Sequence, residues 1–131
     1  MLKSIKVSDY MAASLVTFKP DMEMRLAISL LVEKRISGAP VVDDHGNLVG
    51  ILSEQDCMKV ALSAGYYDDY AGQVKDYMSK QVTTIEADTS ILALAQLFID
   101  SPFRRYPVMQ NNRLVGQVSR RDVLRALEAL A

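Results

Sequence analysis

Two short stretches carry the groups best suited to chemistry. In Gly50-Ile51-Leu52-Ser53-Glu54-Gln55-Asp56 and again in Gly116-Gln117-Val118-Ser119-Arg120-Arg121-Asp122, a glycine, a serine and an aspartate follow one another at equal spacing. A glycine closing a strand lets a flat ring approach the backbone. A serine at a strand-to-helix junction can turn its hydroxyl, with the free N–H groups of the first helical turn, toward a phosphate. An aspartate one helical turn further on shares that face. Its carboxylate can accept hydrogen bonds from two adjacent ribose hydroxyls. The same Ser-x-x-Asp spacing is also an ordinary helix cap, in which the dipole favours the acid. Both roles can coexist.

Arginines gather around the second stretch. Arg104 and Arg105 precede one predicted strand, and Arg120 and Arg121 follow Ser119. Guanidinium forks match phosphate oxygens, so Arg104, Arg105 and Arg121 are candidate phosphate ligands. A solvated basic face is the plainer reading, and salt-dependent nucleic-acid binding is a minor third. The first stretch has Ser37-Gly38 and Glu54-Gln55 in the corresponding places, so the two sites are not expected to be equivalent. Tyr106 stands where the first copy has Ala39, either to stack on a base or to block a cleft. His45 has no second histidine to join it, which argues against a metal site or a catalytic triad. Cys57 reads as a small buried hydrophobe rather than a nucleophile. Tyr66, Tyr67 and Tyr70 read as a loop packing on its own domain.

These groups sit in a chain that repeats itself. Val7-Ser8-Asp9-Tyr10-Met11 returns as Val74-Lys75-Asp76-Tyr77-Met78, 67 positions on (74 minus 7). Thr17 then falls on Thr84 and Pro40-Val41 on Pro107-Val108, before the offset drops to 66 and Leu48-Val49-Gly50 meets Leu114-Val115-Gly116. The lost residue lies between Asp43–Asn47 and Gln110–Arg113, both rich in turn formers, where a deletion costs least. Each copy reads as strand, helix, strand, strand, helix. The opening strands are Val16–Phe18 and Val82–Ile85, and Asp21 and Asp88 are the expected N-caps of the helices that follow. Met24, Ala27, Ile28 and Leu31 form one helical stripe, and Ile91, Leu94, Ala95 and Phe98 form its counterpart. The hairpins are Ala39–Val42 with Leu48–Leu52 and Tyr106–Met109 with Leu114–Val118. The closing helices carry stripes of Cys57, Met58, Ala61 and of Val123, Leu124, Leu127, expected as core or dimer surface. The fold class is therefore α/β: two pseudo-symmetric β-α-β-β-α repeats, residues 1–65 and 66–131, joined by a linker at about 63–73. About 60 residues with one apolar sheet face cannot hide it alone, so the repeats are expected to pack through their sheets.

Composition narrows the classes of function. Of 131 residues, 50% are hydrophobic and 24% charged, with a formal net charge of −1. That is ordinary for a globular protein and draws the chain toward neither nucleic acid nor an acidic membrane. A single cysteine precludes an intrachain disulfide. The N-terminal residues lack the apolar run of a signal peptide, and the apolar stretch near Ile91–Ile99 is too short for a bilayer, so a cytoplasmic location is expected. No paired nucleophile and base and no metal-ligand cluster emerges, so an enzyme is not expected.

Ala39-Pro40-Val41-Val42-Asp43 with Gly50–Asp56, and Tyr106-Pro107-Val108-Met109 with Gly116–Asp122, resemble the CBS family, named for the domain of cystathionine β-synthase. The resemblance covers nearly the whole chain. It implies that Ser53, Asp56, Ser119 and Asp122 contact phosphate and ribose, and that backbone beside Pro40 or Pro107, next to Ala39 and Tyr106, contacts adenine. It implies that Thr17 and Thr84 line clefts shared between the repeats. In the γ subunit of AMP-activated kinase, basic residues at places like Arg104 and Arg105 reach phosphates. The implied function is a regulatory module for AMP, ADP or ATP, with S-adenosylmethionine less favoured and no cofactor required. A homodimer and a separate effector protein are the implied partners. A ligand-free interaction module is the alternative.

Overall fold

Residues 2–13, 15–64 and 72–130 are described by a computed structural model. Most of the expected linker, with Tyr66, Tyr67 and Tyr70, lies outside them.

The hairpins form where β-branched runs meet turn residues that tolerate a left-handed backbone. β1 (Gly38–Val42) and β2 (Leu48–Ser53) pair antiparallel, with Gly38 opposite Ser53 and Val41 opposite Gly50. Their turn is held by Asp43, whose Oδ1 accepts from the N–H groups of His45 (2.9 Å) and Asn47 (2.8 Å), while Gly46 takes a φ of 83°. In the second repeat, β4 (Arg105–Gln110) and β5 (Arg113–Ser119) pair with Arg105 opposite Ser119 and Val108 opposite Gly116. Asn111 and Asn112 turn that hairpin at φ of 54° and 62°, a tight turn whose twist matches the strands. A parallel partner extends each hairpin. Phe18 bridges Val41, its N–H donating to the Pro40 carbonyl at 2.9 Å. β3 (Ile85–Glu86) does the same against β4, with Ile85 opposite Val108. The opening strands are thus shorter than Val16–Phe18 and Val82–Ile85 suggest.

The helical stripes are where the periodicity puts them. α1 (Met24–Lys34) buries Met24, Ala27 and Leu31, and α4 (Ile91–Asp100) buries Ile91, Leu94 and Phe98. Their caps differ from expectation. The N-cap positions are Glu23 and Ser90, and the Ser90 Oγ accepts from the Ala93 N–H at 3.1 Å. Asp21 and Asp88 lie two residues too early, because the chain first turns, with Met22 N–H donating to Lys19 O and Thr89 N–H to Glu86 O. The closing helices are α2 (Glu54–Ala64) and α5 (Arg120–Ala129). Val60, Val123 and Ala126 face the cores and Cys57 packs against one, whereas Met58 is 69% and Leu124 64% exposed, so each expected stripe divides between core and surface.

The repeated Val-x-Asp-Tyr-Met motif has a role that sequence periodicity did not reveal. Each copy forms a short helical clasp, Val7–Asp9 and α3 (Val74–Tyr77), and each docks on the repeat it does not precede by turn or strand. Val7 N–H donates to Thr89 O, Ile91 N–H to Ile5 O, and Ala12 and Gln117 exchange two backbone bonds. In the matching places Val74 N–H donates to Met22 O, Met24 N–H to Gly72 O, and Ser79 and Ile51 exchange two bonds. Asp9 and Asp76 hold the clasps by accepting from the backbone N–H of Lys6 and Gln73, each at 2.9 Å. Val7 and Val74 are fully buried, a contribution of about 1.5–3 kcal/mol each.

By packing, therefore, the chain divides into Val16–Val82 and a discontinuous unit, Met1–Leu15 with Thr83–Ala131. Each has its own core. One gathers Phe18, Met24, Leu31, Val41, Leu52 and Val74, and the other Val7, Ile91, Leu94, Tyr106, Val108 and Val118.

Candidate functional site

The strand-to-helix junctions position the Ser-x-x-Asp groups. In β2 the buried Gly50 and Leu52 alternate with the half-buried Ile51 and Ser53, so Ser53 ends the strand at the surface, where α2 begins. The Asp56 carboxylate turns back over this junction. Its Oδ2 accepts from the Ser53 N–H (3.0 Å) and hydroxyl (3.0 Å), and the Ser53 Oγ accepts from the Asp56 N–H (3.1 Å). Oδ1 meets the Lys59 ammonium at 3.2 Å. The second copy repeats the plan. The Asp122 Oδ2 accepts from the Ser119 N–H (2.9 Å) and hydroxyl (3.2 Å), and Oδ1 meets Arg125 Nη1 at 3.1 Å. Both groups are capping boxes that satisfy free donors of the first turn.

Each acid thus commits one oxygen to its serine and offers the other to a surface cation. Side-chain exposure is 7% for Asp56 and 16% for Asp122, against 59% for Lys59 and 60% for Arg125. Lys59 and Arg125 were not among the sequence candidates, although their place one turn beyond each acid is the signal that finds them.

Other candidates fall on either side of the division between units. Thr17, Ala39, Pro40, Ser53 and Asp56 belong to Val16–Val82, and Thr84, Arg104, Arg105, Tyr106, Pro107, Ser119, Arg121 and Asp122 belong to the other unit. Within the first, Ala39 lies opposite Leu52, next to Ser53, and Glu54 N–H donates to Ser37 O at 2.9 Å. Ala39 and Pro40 are buried and Thr17 is exposed beside Phe18. Within the second, Arg105 lies opposite Ser119, so Arg104, Arg105 and the Ser119–Asp122 pair share one end of the sheet. Arg104, Arg121 and Thr84 are exposed, Arg105 is half-buried and Pro107 is buried. Arg120 pins the loop ahead of β4: its backbone N–H donates to Arg104 O (3.2 Å), Nε to Phe103 O (3.1 Å) and Nη2 to Ser101 O (3.3 Å).

Two readings of single residues need correction. Gly50 and Gly116 lie inside strands, and the space above them is already taken. A Cβ at Gly50 would meet Met78 Sδ at 2.6 Å and Ser79 O at 2.9 Å, and one at Gly116 would meet Met11 Sδ at 2.6 Å and Ala12 O at 2.9 Å. They make room for the clasp, not for a ligand ring. Tyr106 is 2% exposed, its ring 5.0 Å from that of Phe98 and 5.7 Å from that of Phe103, and its hydroxyl lies 2.7 Å from Ser101 Oγ. A ring packed in this core is no platform for a base. Cys57 is half-buried, and burial, with the Asp56 and Glu54 carboxylates nearby, pushes its thiol up to about 11. At neutral pH it is a protonated, weakly reactive thiol. Among the described residues no helix is long and apolar enough to cross a membrane.

Comparison with known proteins agrees with this geometry. The family model described as CBS domain matches twice, over residues 7–63 and 74–129. The uncharacterized 17.7 kDa protein in the bps2 3′ region of Acidianus ambivalens is 30% identical over 123 residues, covering 93% of this chain and 73% of that protein. The chain spans 23% of the length of one longer curated relative, the inosine-5′-monophosphate dehydrogenase of Methanocaldococcus jannaschii. Among solved structures, CBSX2 of Arabidopsis thaliana, a CBS-pair protein crystallised in complex with AMP, superimposes with a TM-score of 0.83 at 31% identity, covering 96% of this chain and 98% of that one. The CBS domain pair of protein MJ0100, in complex with 5′-methylthioadenosine and S-adenosyl-L-methionine, does so with a TM-score of 0.79 at 25% identity, covering 96% and 98%. With its two matched repeats of sheet and helices, the chain belongs to the CBS-domain family as a tandem pair.

Proposed function

We propose that this CBS pair is a regulatory module that binds an adenosine-containing nucleotide (AMP, ADP or ATP, with S-adenosylmethionine less favoured) and catalyses no reaction. The observation that carries the reading is the duplicated, largely buried aspartate whose outer oxygen meets a solvent-exposed cation. A ribose diol can take the place of a surface cation by donating two hydrogen bonds, so the outer oxygen of the carboxylate keeps its partners when the cation swings out to solvent. Ser53, Asp56, Ser119 and Asp122 would take ribose and phosphate, with backbone beside Ala39, Pro40 and Pro107 for the base and Thr17 and Thr84 lining the site. Arg104, Arg105 and Arg121 would take phosphate, since Arg104 and Arg105 share a sheet end with Ser119. The AMP complex of CBSX2 and the S-adenosylmethionine complex of the MJ0100 pair support the ligand class. Bound nucleotide would shift an equilibrium that an effector protein reads.

Thermal melting tests the proposal. A ligand at about a hundred times its dissociation constant adds roughly 2.7 kcal/mol to the folded state. AMP, ADP or ATP should raise the melting temperature more than GMP or CMP. Flat curves across all of them at millimolar concentration reject the reading.

The helices favour a second reading, self-association without ligand. Large apolar side chains stand exposed at equivalent places in both repeats: Met58 (69%) with Leu124 (64%), and Val32 (74%) with Ile99 (77%). Scattered exposed hydrophobics are ordinary, but recurrence at matched positions suits a symmetric homodimer. Light scattering should give a dimer mass that the pair Met58→Glu and Leu124→Glu reduces to the monomer.

A further inference from the structure

The two carboxylates are held differently, and the difference lies in what the cation beside each one touches. Arg125 and Lys59 occupy equivalent positions, 66 apart (125 minus 59). The Arg125 guanidinium is bound on three sides. Its Nη1 donates to Asp122 Oδ1 at 3.1 Å and reaches Tyr10 O at 3.5 Å, and its carbon lies 5.6 Å from the centre of the Tyr10 ring. Tyr10 is itself fixed, because its N–H and that of Met11 donate to Val7 O and Ala12 pairs with Gln117. Arg125 thus ties the acid to an anchored clasp. Lys59 occupies the equivalent place with a different head group. Its ammonium pairs with Asp56 Oδ1 at 3.2 Å, on a flexible stem and without a planar face to lay on a ring.

We propose that Arg125 is a specificity-determining residue that weakens the second-repeat acid as an acceptor of a vicinal diol and leaves Ser53–Asp56 as the preferred diol site. To accept two ribose hydroxyls, the outer oxygen of each acid must loosen its cation. Lys59 gives up one contact in doing so. Arg125 gives up a charge-assisted bond and a planar stacking position that the clasp has already organised. The two sites therefore differ in affinity although their capping boxes are the same. The inference rests on the nucleotide-binding reading and adds to it which repeat leads and which residue decides.

Exchanging the cations tests this without removing charge or disturbing either core, since both are surface side chains. The full chain is titrated by calorimetry with adenosine, whose neutrality isolates the diol, and then with AMP. In the parent, Asp56→Asn should weaken adenosine binding more than Asp122→Asn does. Arg125→Lys should strengthen binding at the second site by about two- to fivefold, the span of a partly exposed charge pair. Adding Asp122→Asn to Arg125→Lys should abolish that gain. Lys59→Arg, with Tyr77 standing in the place of Tyr10, should weaken the first site by a similar factor. Unchanged or weaker binding in Arg125→Lys, or a larger loss from Asp122→Asn in the parent, overturns the assignment while leaving nucleotide binding intact. A parent that binds neither adenosine nor AMP overturns the nucleotide reading and this one with it.

Discussion

Where one repeat places Leu31, Ile36 and Ala39, the other places Phe98, Phe103 and Tyr106. The aliphatic set packs around Phe18 and Met24. The aromatic set packs on itself, with the Tyr106 hydroxyl tied to Ser101 Oγ. Around these unlike fillings the backbone plan is much the same: the clasps and the Ser-x-x-Asp caps answer one another, while the turns differ and Ala87 N–H donates to Met109 O where Pro20 has no N–H to give. Backbone donors and acceptors must be satisfied wherever they are buried, so the polar plan tolerates little change. Apolar volume can be redistributed as long as it fills the space, so the cores have drifted apart.

The contrast can be attacked first at its largest member. Tyr106→Ala should cost about 3–5 kcal/mol in urea unfolding, as for other large buried rings cut to alanine. Tyr106→Phe, which loses only the Ser101 bond, should cost about 1 kcal/mol. If both variants unfold like the parent, the aromatic set is not the core of its unit. The shared plan predicts equality instead. Gly50→Ala and Gly116→Ala each force a methyl against a methionine and a backbone carbonyl, and each should cost about 1–3 kcal/mol. Adding Met78→Ala or Met11→Ala should recover part of that cost, since the carbonyl clash stays. A large difference between the two glycines would show that the clasps are not equivalent.

The smallest effect separates the turns. The Asn47 N–H bond, opposed by some desolvation and joined by the Asn47 side chain and the His45 N–H, holds the Asp43 carboxyl below its ordinary value. A carboxyl lowered in the folded state contributes stability above its unfolded pKa and loses it as pH falls through the folded one. The first turn should therefore loosen in acid, seen as a shift of the Asn47 amide resonance. The Asn111–Asn112 turn, which has no carboxylate, should stay constant over the same range.

Most of the fold was legible because its signals are local. Stripes such as Met24, Ala27 and Leu31 encode a helix face, and Asn111-Asn112 encodes a turn. The caps could have been read better, since Ser90 stands directly before the first buried position of α4 while Asp88 does not. Docking of the clasps was not legible for a deeper reason. In a duplicated chain either copy of Val-x-Asp-Tyr-Met fits either repeat, and spacing alone does not say which pairing the fold takes. The ligand-ring reading of Gly50 and Gly116 failed for that reason, because Met78 and Met11 reach them from far along the chain, whereas Tyr106 is packed by Phe98 and Phe103, which lie near it in sequence. At the site, the serines and aspartates were legible from their spacing. The unequal grip of Lys59 and Arg125 needed the position of Tyr10.

The exchanged clasps also set an order of events during synthesis. Val16–Val82 is continuous in sequence and can close once its last residue leaves the ribosome. Residues 5–12 have to wait, because their partners Ala87, Thr89, Ile91 and Gln117 are translated after that unit is complete. Nascent chains arrested just after Val82 has cleared the ribosome should therefore resist proteases over the described residues of Val16–Val82 while the segment before it is still cut. Residues 5–12 are made before that unit and take their place after it.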